Sequence, residues 1–557
     1  MVKNTPEDIR IRNVMIILTL MSTLVRGIIA GIIELGNDEV YYWTYALFPD
    51  LSHFDHPPMV GMLIQATTLD LLFDHEFFIR LGPVMLGGIN TWLIYLIGRA
   101  IKDSLTGLYA ALLYTSSVYC FVISGIFMLP DTPQGFFWLL TLWLMVQALP
   151  SPHPGKRDQL YMFLTGITVG LAMLSKYTSV FLWVGIVAYV VLFNRVWLRR
   201  FDFYLAMIMS AAVFSPVIMW NIENDFISFT FHGERVSFFE TGIRPDFFLT
   251  ELSGQILYNN PINFGLIILG LIWMLRRESR IDRHYIPMLL LISLPLILLF
   301  LFFSLFRQTL PHWTGPSYLG LILVAGSFLS EQKYIKGIRF AIPKSILAAL
   351  ILLVSVLILG VAQINHGIID LRGTNDQRSL GKTDPTLDMY GWKQLAEKFR
   401  EIHKADLDRG TMDTNAVIIS YRWFPAAHQD YYLGYPLGIK VLCIGNLERI
   451  HKYAWINRKR GGFPVGTDAY YITSSRDFTD PAEKFNGLFS IIDEPVILNI
   501  QRGGKTAMQF YIYRIHDLLT DIPDPLLPKP FAELEIKQPA KKKLNNFNFF
   551  KAVSITL

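Results

Sequence analysis

Apolar residues in this chain come in long unbroken runs, separated by short polar stretches, as far as about residue 363. Eleven runs approach the roughly 17–25 residues that cross a bilayer as a helix. They are 13–34, 77–98, 105–128, 133–149, 160–175, 178–193, 202–219, 256–275, 285–305, 314–330 and 342–363. Past Gln363 the pattern changes. Pro, Gly, Asp and Lys become frequent, and short β-type runs appear ("AVIIS", "IKVLCI", "AYYITS", "PVILNI", "FYIYRI") behind a helical segment, "GWKQLAEKF". This predicts a compact α/β domain. The chain divides into a transmembrane domain at 1–363 with polar loops at 34–76 and 220–255, an α/β domain at 364–535, and a basic tail at 536–557.

Charge orients the spans. One set of loops carries Lys3, Arg10, Arg12, Arg99, Lys102, Lys156, Arg157, Arg195, Arg199, Arg200, Arg276, Arg277, Arg280, Arg283, Lys333, Lys336, Arg339 and Lys344. The opposite set holds only Lys176, Arg235, Arg244 and Arg307. Basic loops stay in the cytoplasm, so the N-terminus is expected inside. An odd number of spans then puts the α/β domain outside. No small-residue cleavage signature follows the first run, which therefore reads as an uncleaved span.

Composition agrees with a membrane protein. The 557 residues are 52% hydrophobic and 17% charged, against about 25% charged in soluble domains. A net charge of +5 spread between apolar runs leaves no footprint for nucleic acid. The two cysteines, Cys120 and Cys443, make neither a disulfide framework nor a zinc ribbon.

The chemistry concentrates on the outer side. "NDEVYYWTYALFPDLSHFDHPPM" crowds Asp38, Glu39, Asp50, His53, Asp55 and His56 among aromatic rings, with no Lys or Arg from Gly27 to Ile79. Taken singly, Asp38 and Glu39, Asp55 and Asp131 are each explained as caps at helix starts. Together, three acidic helix starts on one membrane face, where carboxylates are expensive, point to a site. The sparse outer bases are Lys176 in "LSKYTS", Arg307 and His312 in "FRQTLPHWTGP", and His232 and Arg235 in "FTFHGERV". Lys176 could equally snorkel, and His312 could be interfacial beside Trp313. Arg26, inside the first run, is expected to pair with a buried acid. Acids beside a few cations suit transfer from an anionic lipid donor, where a carboxylate takes the acceptor proton and cations neutralise the departing phosphate.

"DEVYYW…FDHPPM", "LPDTP", "GLAMLSKYTSV" and "PHWTGPSYLGL" together resemble the polytopic glycosyltransferases of the GT-C fold. The likeness is to the bacterial branch around protein O-mannosyltransferase and aminoarabinose lipid A transferase, over roughly residues 10–330. The resemblance implies a polytopic helical protein of about eleven spans with an extracytoplasmic α/β domain, set in the bacterial inner membrane. It implies a polyprenyl-phosphate sugar as donor, inversion at the anomeric carbon, and a lipid, glycan or protein acceptor. On these positions Asp38 resembles the catalytic carboxylate with Glu39 beside it. Asp131 matches the second acidic position, and Lys176 a lysine that contacts the lipid phosphate, a role Arg307, His312 and Arg235 would share. His56 stands where relatives often carry Lys. Asp55 and His232 match positions that look like ligands for a divalent metal (zinc, manganese or calcium), a set that His56 or water could complete. The competing reading, a secondary transporter or lipid flippase, expects its ionisable groups near the midplane of paired repeats, and here they gather outside.

Overall fold

The structure, a computed structural model, describes residues 6–236, 242–276, 280–335, 341–371, 373 and 376–527, with backbone alone at 6, 234–236, 334 and 335. The basic tail at 536–557 and the Arg235 side chain therefore lie outside the described residues. The chain forms two compact units. One comprises residues 1–32 and 45–358, the other residues 33–44 and 359–557.

The first unit is helical. Its elements are α1 (Pro6–Ile32), the end of α2 (Asn37–Leu47), α3 (Met59–Thr68), α4 (Glu76–Ile79), α5 (Leu81–Ile101), α6 (Ser104–Ser116), α7 (Asp131–Ala148) and α8 (Lys156–Ser175). There follow α9 (Phe181–Phe193), α10 (Phe201–Glu223), α11 (Ile227–Val236), α12 (Pro245–Tyr258), α13 (Pro261–Leu275), α14 (Tyr285–Ser304), α15 (Tyr318–Ile335) and the larger part of α16 (Lys344–His366). Every one of the eleven apolar runs falls on helix. Among the described residues, five helices are long and apolar enough to cross a membrane singly, and six if α12 and α13 count as one broken span. The remaining runs are divided or shortened by local breaks. α6 stops at Ser116 and a π-helical turn at Tyr119–Ile123 follows. α12 and α13 bend by 97° at Asn259–Asn260. There Asn260 caps α13 through its Oδ1, which accepts the Ile262 N–H at 3.1 Å, while its Nδ2 donates to the carbonyls of Ser116 and Ala349.

α8 packs between α7 and α10. Gly166 and Gly170, one turn apart, let α10 come close, since a Cβ at Gly166 would stand 2.2 Å from the Ala206 carbonyl oxygen. Without a hydrophobic driving force between helices in lipid, such small-residue contacts supply the packing. Arg26 departs from expectation. Its Nη1 donates to Ser22 Oγ at 3.2 Å and its guanidinium lies 4.3 Å from the Phe121 ring. Among the described residues no carboxylate pairs with it, because the π-helical turn, Gly87 and Gly125 close around the guanidinium instead.

The second unit is a six-stranded mixed sheet with helix α17 (Trp392–Arg409) ahead of it. Its strands are β1 (Val417–Ser420), β2 (Val441–Cys443), β3 (Ala469–Ser474), β4 (Phe489–Ile492), β5 (Val496–Arg502) and β6 (Lys505–Leu518). The order is β2-β1-β3-β6-β4, with β5 also on β6, and β1 pairs in parallel with both β2 and β3. Each of the five β-type runs read from the sequence holds one strand. β1, β2 and nearly all of β3 are buried along their length, as parallel strands covered on both faces must be.

Residues 33–44, read from the sequence as part of a membrane-domain loop, belong to this second unit. The Glu34 carboxylate accepts the N–H of Trp392 at 2.7 Å, and that of Lys393 more weakly, at the start of α17, where an anion offsets the helix dipole. Leu35 donates its N–H to the Tyr432 hydroxyl at 2.9 Å and accepts His428 Nε2–H at 3.1 Å. Trp43 meets Tyr431 and Tyr435 edge-on, each at 5.2 Å, and Lys452 Nζ donates to the Thr44 carbonyl at 3.0 Å.

Candidate active site

In the first unit, the outer-side residues named from the sequence converge around Asp131. This residue opens α7 directly after Pro130, and Lys176 ends α8 on an extended backbone. Gln134 Nε2 ties the two helix ends together by donating to Thr178 Oγ1 at 2.9 Å and Ser179 Oγ at 3.0 Å in the turn after Lys176. Lys176 Nζ then reaches Asp131 Oδ2 at 2.7 Å, with both side chains almost wholly buried. The Tyr119 hydroxyl donates to the other oxygen, Oδ1, at 3.2 Å. Burial of two charges is tolerable because each has the other, and losing either would strand its partner.

Tyr119 was not legible from the sequence. It sits in the apolar run "SSVYCFVIS", on the π-helical turn, and hydropathy gives no sign of its contact. A trace exists in "PHWTGP". Gly315 faces the Tyr119 ring so closely that a Cβ there would stand 2.1 Å from it. The same segment brings His312 within electrostatic range of both Asp131 and Lys176.

His56 belongs to the same neighbourhood, since the charges of Asp55, His232, Lys176 and Asp131 all act on its ring. Asp55 Oδ1 accepts the Tyr45 hydroxyl at 2.5 Å, and its backbone carbonyl accepts His232 Nε2–H at 2.7 Å. The His56 and His232 rings lie 6.2 Å apart. Among the described residues no three His, Cys, Asp or Glu side chains come together as a metal-ligand set. As arranged, Asp55 Oδ1 and His232 Nε2 are engaged in hydrogen bonds. Arg307 follows α14, half-buried, and is not among the groups bonded to Asp131.

The second unit carries the acidic pair that opens α2. Glu39 is buried and turns its Oε2 back to the Gly36 N–H at 2.9 Å, capping the helix as a glutamate at this position does. Asp38, one residue earlier, is half-exposed. The two acids therefore differ in role: one closes the helix end, the other faces partly into solvent.

The family described as Dolichyl-phosphate-mannose-protein mannosyltransferase matches residues 55–220. That stretch holds Asp55, His56, Asp131 and Lys176. ArnT from Cupriavidus metallidurans, solved bound to undecaprenyl phosphate, superposes with a TM-score of 0.58 at 14% identity, covering 89% of this chain and 97% of that one. The chain has the GT-C membrane glycosyltransferase fold. Among curated proteins, this GT-C chain is 25% identical over 320 residues to the lipid A galacturonosyltransferase RgtD of Rhizobium johnstonii, covering 56% of the chain and 64% of the relative. It is 28% identical over 319 residues to the undecaprenyl phosphate-alpha-4-amino-4-deoxy-L-arabinose arabinosyl transferase of Pseudomonas paraeruginosa, covering 54% and 53%. The chain thus spans between about half and two thirds of the length of these curated relatives.

Proposed function

We propose that the chain is a membrane glycosyltransferase that moves a sugar from a polyprenyl-phosphate donor to a lipid acceptor. The orientation read from the basic loops has the N-terminus in the cytoplasm, eleven spans, and transfer on the outer side of the bacterial inner membrane. The observation that carries the reading is the buried Lys176–Asp131 pair with Tyr119, His312 and His56 around it, in the stretch shared with the mannosyltransferase family.

In this mechanism the acceptor hydroxyl attacks the anomeric carbon from the face opposite the phosphate, and the bond from that carbon to the phosphate oxygen breaks. Asp38 takes the hydroxyl proton. The polyprenyl phosphate leaves with the bonding electrons, and Lys176, held in place by Asp131, neutralises it. A preorganised cation in a poorly hydrated site acts at full strength because no solvent must reorganise. Glu39 acts through the helix end it caps.

The test is product analysis. Purified protein incubated with labelled undecaprenyl-phosphate sugars and lipid acceptors should yield glycosylated lipid and free undecaprenyl phosphate. Movement of lipid across vesicles with no product would favour the flippase reading instead.

A further inference from the structure

The second unit gathers cations at the carboxyl ends of its parallel strands, and nothing above uses them. β1 lies between β2 and β3. The chain leaves β1 for β2 on one side and then passes to β3 on the other. Open parallel sheets wound this way leave a crevice beyond the carboxyl ends where the direction reverses, a recurrent place for ligands.

Three cations lie there. Arg422 follows β1 by two residues, and its guanidinium carbon is 4.8 Å from the Tyr421 ring and 5.4 Å from the Phe424 ring. Lys484 Nζ stands 5.2 Å from the same Tyr421 ring. Arg449 follows β2, on the short helix Leu447–Ile450, close enough for its charge to act on both of the others. Asp477, three residues past β3, pairs with Arg422. Even so, Arg422 Nε is buried with no hydrogen-bond partner. The aromatic floor holds the cations in place and cannot neutralise them, and among the described residues Asp477 is the carboxylate paired with Arg422. An anion entering from the solvent side would meet all three positive charges at once.

We infer that the carboxyl end of β1 binds a phosphate group through Arg422, Arg449 and Lys484. Arginine suits this chemistry because its planar fork matches phosphate oxygens. The neighbouring aromatic residue gives the site its relation to transfer. Trp423 packs on Tyr41 of α2 at 4.8 Å and stacks on His451 at 5.6 Å, so the cluster borders the helix that carries Asp38. The phosphate is therefore assigned to the acceptor lipid, an assignment that rests on the transferase reading, whereas the anion site itself does not.

Full-length protein in micelles would be titrated with phosphatidic acid, with phosphatidylcholine and with inorganic phosphate. Phosphatidic acid should bind, phosphatidylcholine should not, and Arg449→Gln/Lys484→Gln should weaken the phosphatidic acid complex by about tenfold or more. Both substituted side chains are exposed, so folding is not at stake, and Arg422→Lys should lose affinity despite keeping its charge. Equal binding by the parent and the double variant would overturn the site. Binding of inorganic phosphate as tight as that of phosphatidic acid would overturn the acceptor assignment. Since binding needs no sugar donor, these outcomes stand apart from whether transfer is observed.

Discussion

Lys176→Met is the most informative perturbation of the first unit. In the native arrangement Lys176 Nζ sits 2.7 Å from Asp131 Oδ2, with both groups withdrawn from water. Removing one partner of such a pair costs about 3–5 kcal/mol, because the other charge remains buried alone. The Tyr119 hydrogen bond, at 3.2 Å, would offset about 1 kcal/mol of that. The single variant should therefore lose about 2–4 kcal/mol. Asp131→Asn/Lys176→Met removes both charges and should recover most of the loss, giving a coupling of about 2–3 kcal/mol. Denaturant unfolding of the four proteins in micelles measures this cycle. Donor binding is read in parallel on the same samples. If Lys176 meets the leaving phosphate, the double variant regains stability without regaining affinity for undecaprenyl phosphate. Additive stabilities would show that the pair contributes nothing, and a double variant that binds donor like the parent would remove Lys176 from phosphate recognition.

Asp38→Asn keeps size and loses basicity, so turnover should fall about 100-fold or more with donor affinity unchanged; retained turnover in a product assay would reduce Asp38 to a helix-start residue. Gly315→Ala would set a Cβ 2.1 Å from the Tyr119 ring and force the ring away, so the rate should drop while a distant Gly360→Ala, where a Cβ meets nothing, stays active. Burial pushes the His428 imidazole down to about 3 from 6.5. The unfolded chain therefore takes up a proton below pH 6.5 that the fold refuses, and stability should fall by up to about 1.4 kcal/mol per pH unit from there toward pH 3. Thermal melts across that range should steepen for the parent and flatten for His428→Gln. If Asp55 and His232 hold a divalent metal, elemental analysis should find it and chelation should reduce transfer; no bound metal with undiminished activity would end that reading.

Hydropathy placed its eleven apolar runs on helix, because such runs depend on local composition, while α3 and α11 fall outside every run. The charged contacts were partly legible. Asp131, Lys176, His56 and His312 stood out as rare ionisable groups on one side of a greasy chain, and they do converge. Tyr119 did not stand out, since a tyrosine in an apolar run differs from a phenylalanine only by a hydroxyl whose partner is elsewhere in the sequence. Glu39 looked like half of a catalytic pair, and its Oε2 also accepts the Gly36 N–H, a choice of rotamer that no spacing rule encodes. Arg26 was expected to find an acid and instead lies over Phe121, because the π-helical turn that presents this ring is invisible to periodicity.

The attachment of residues 33–44 to the second unit also bears on the timing of synthesis. Glu34 and Trp392 are 358 residues apart, Leu35 and Tyr432 397, and Tyr41 and Lys452 411. At about 5–20 residues per second, the ribosome reaches these partners roughly 20–80 s after the acidic helix has left it. For that interval α2 is translated but without these partners. A chain cut before Trp392 would thus lack the contacts that hold residues 33–44. Residues 392–452, made long after α2, are the part that fixes it.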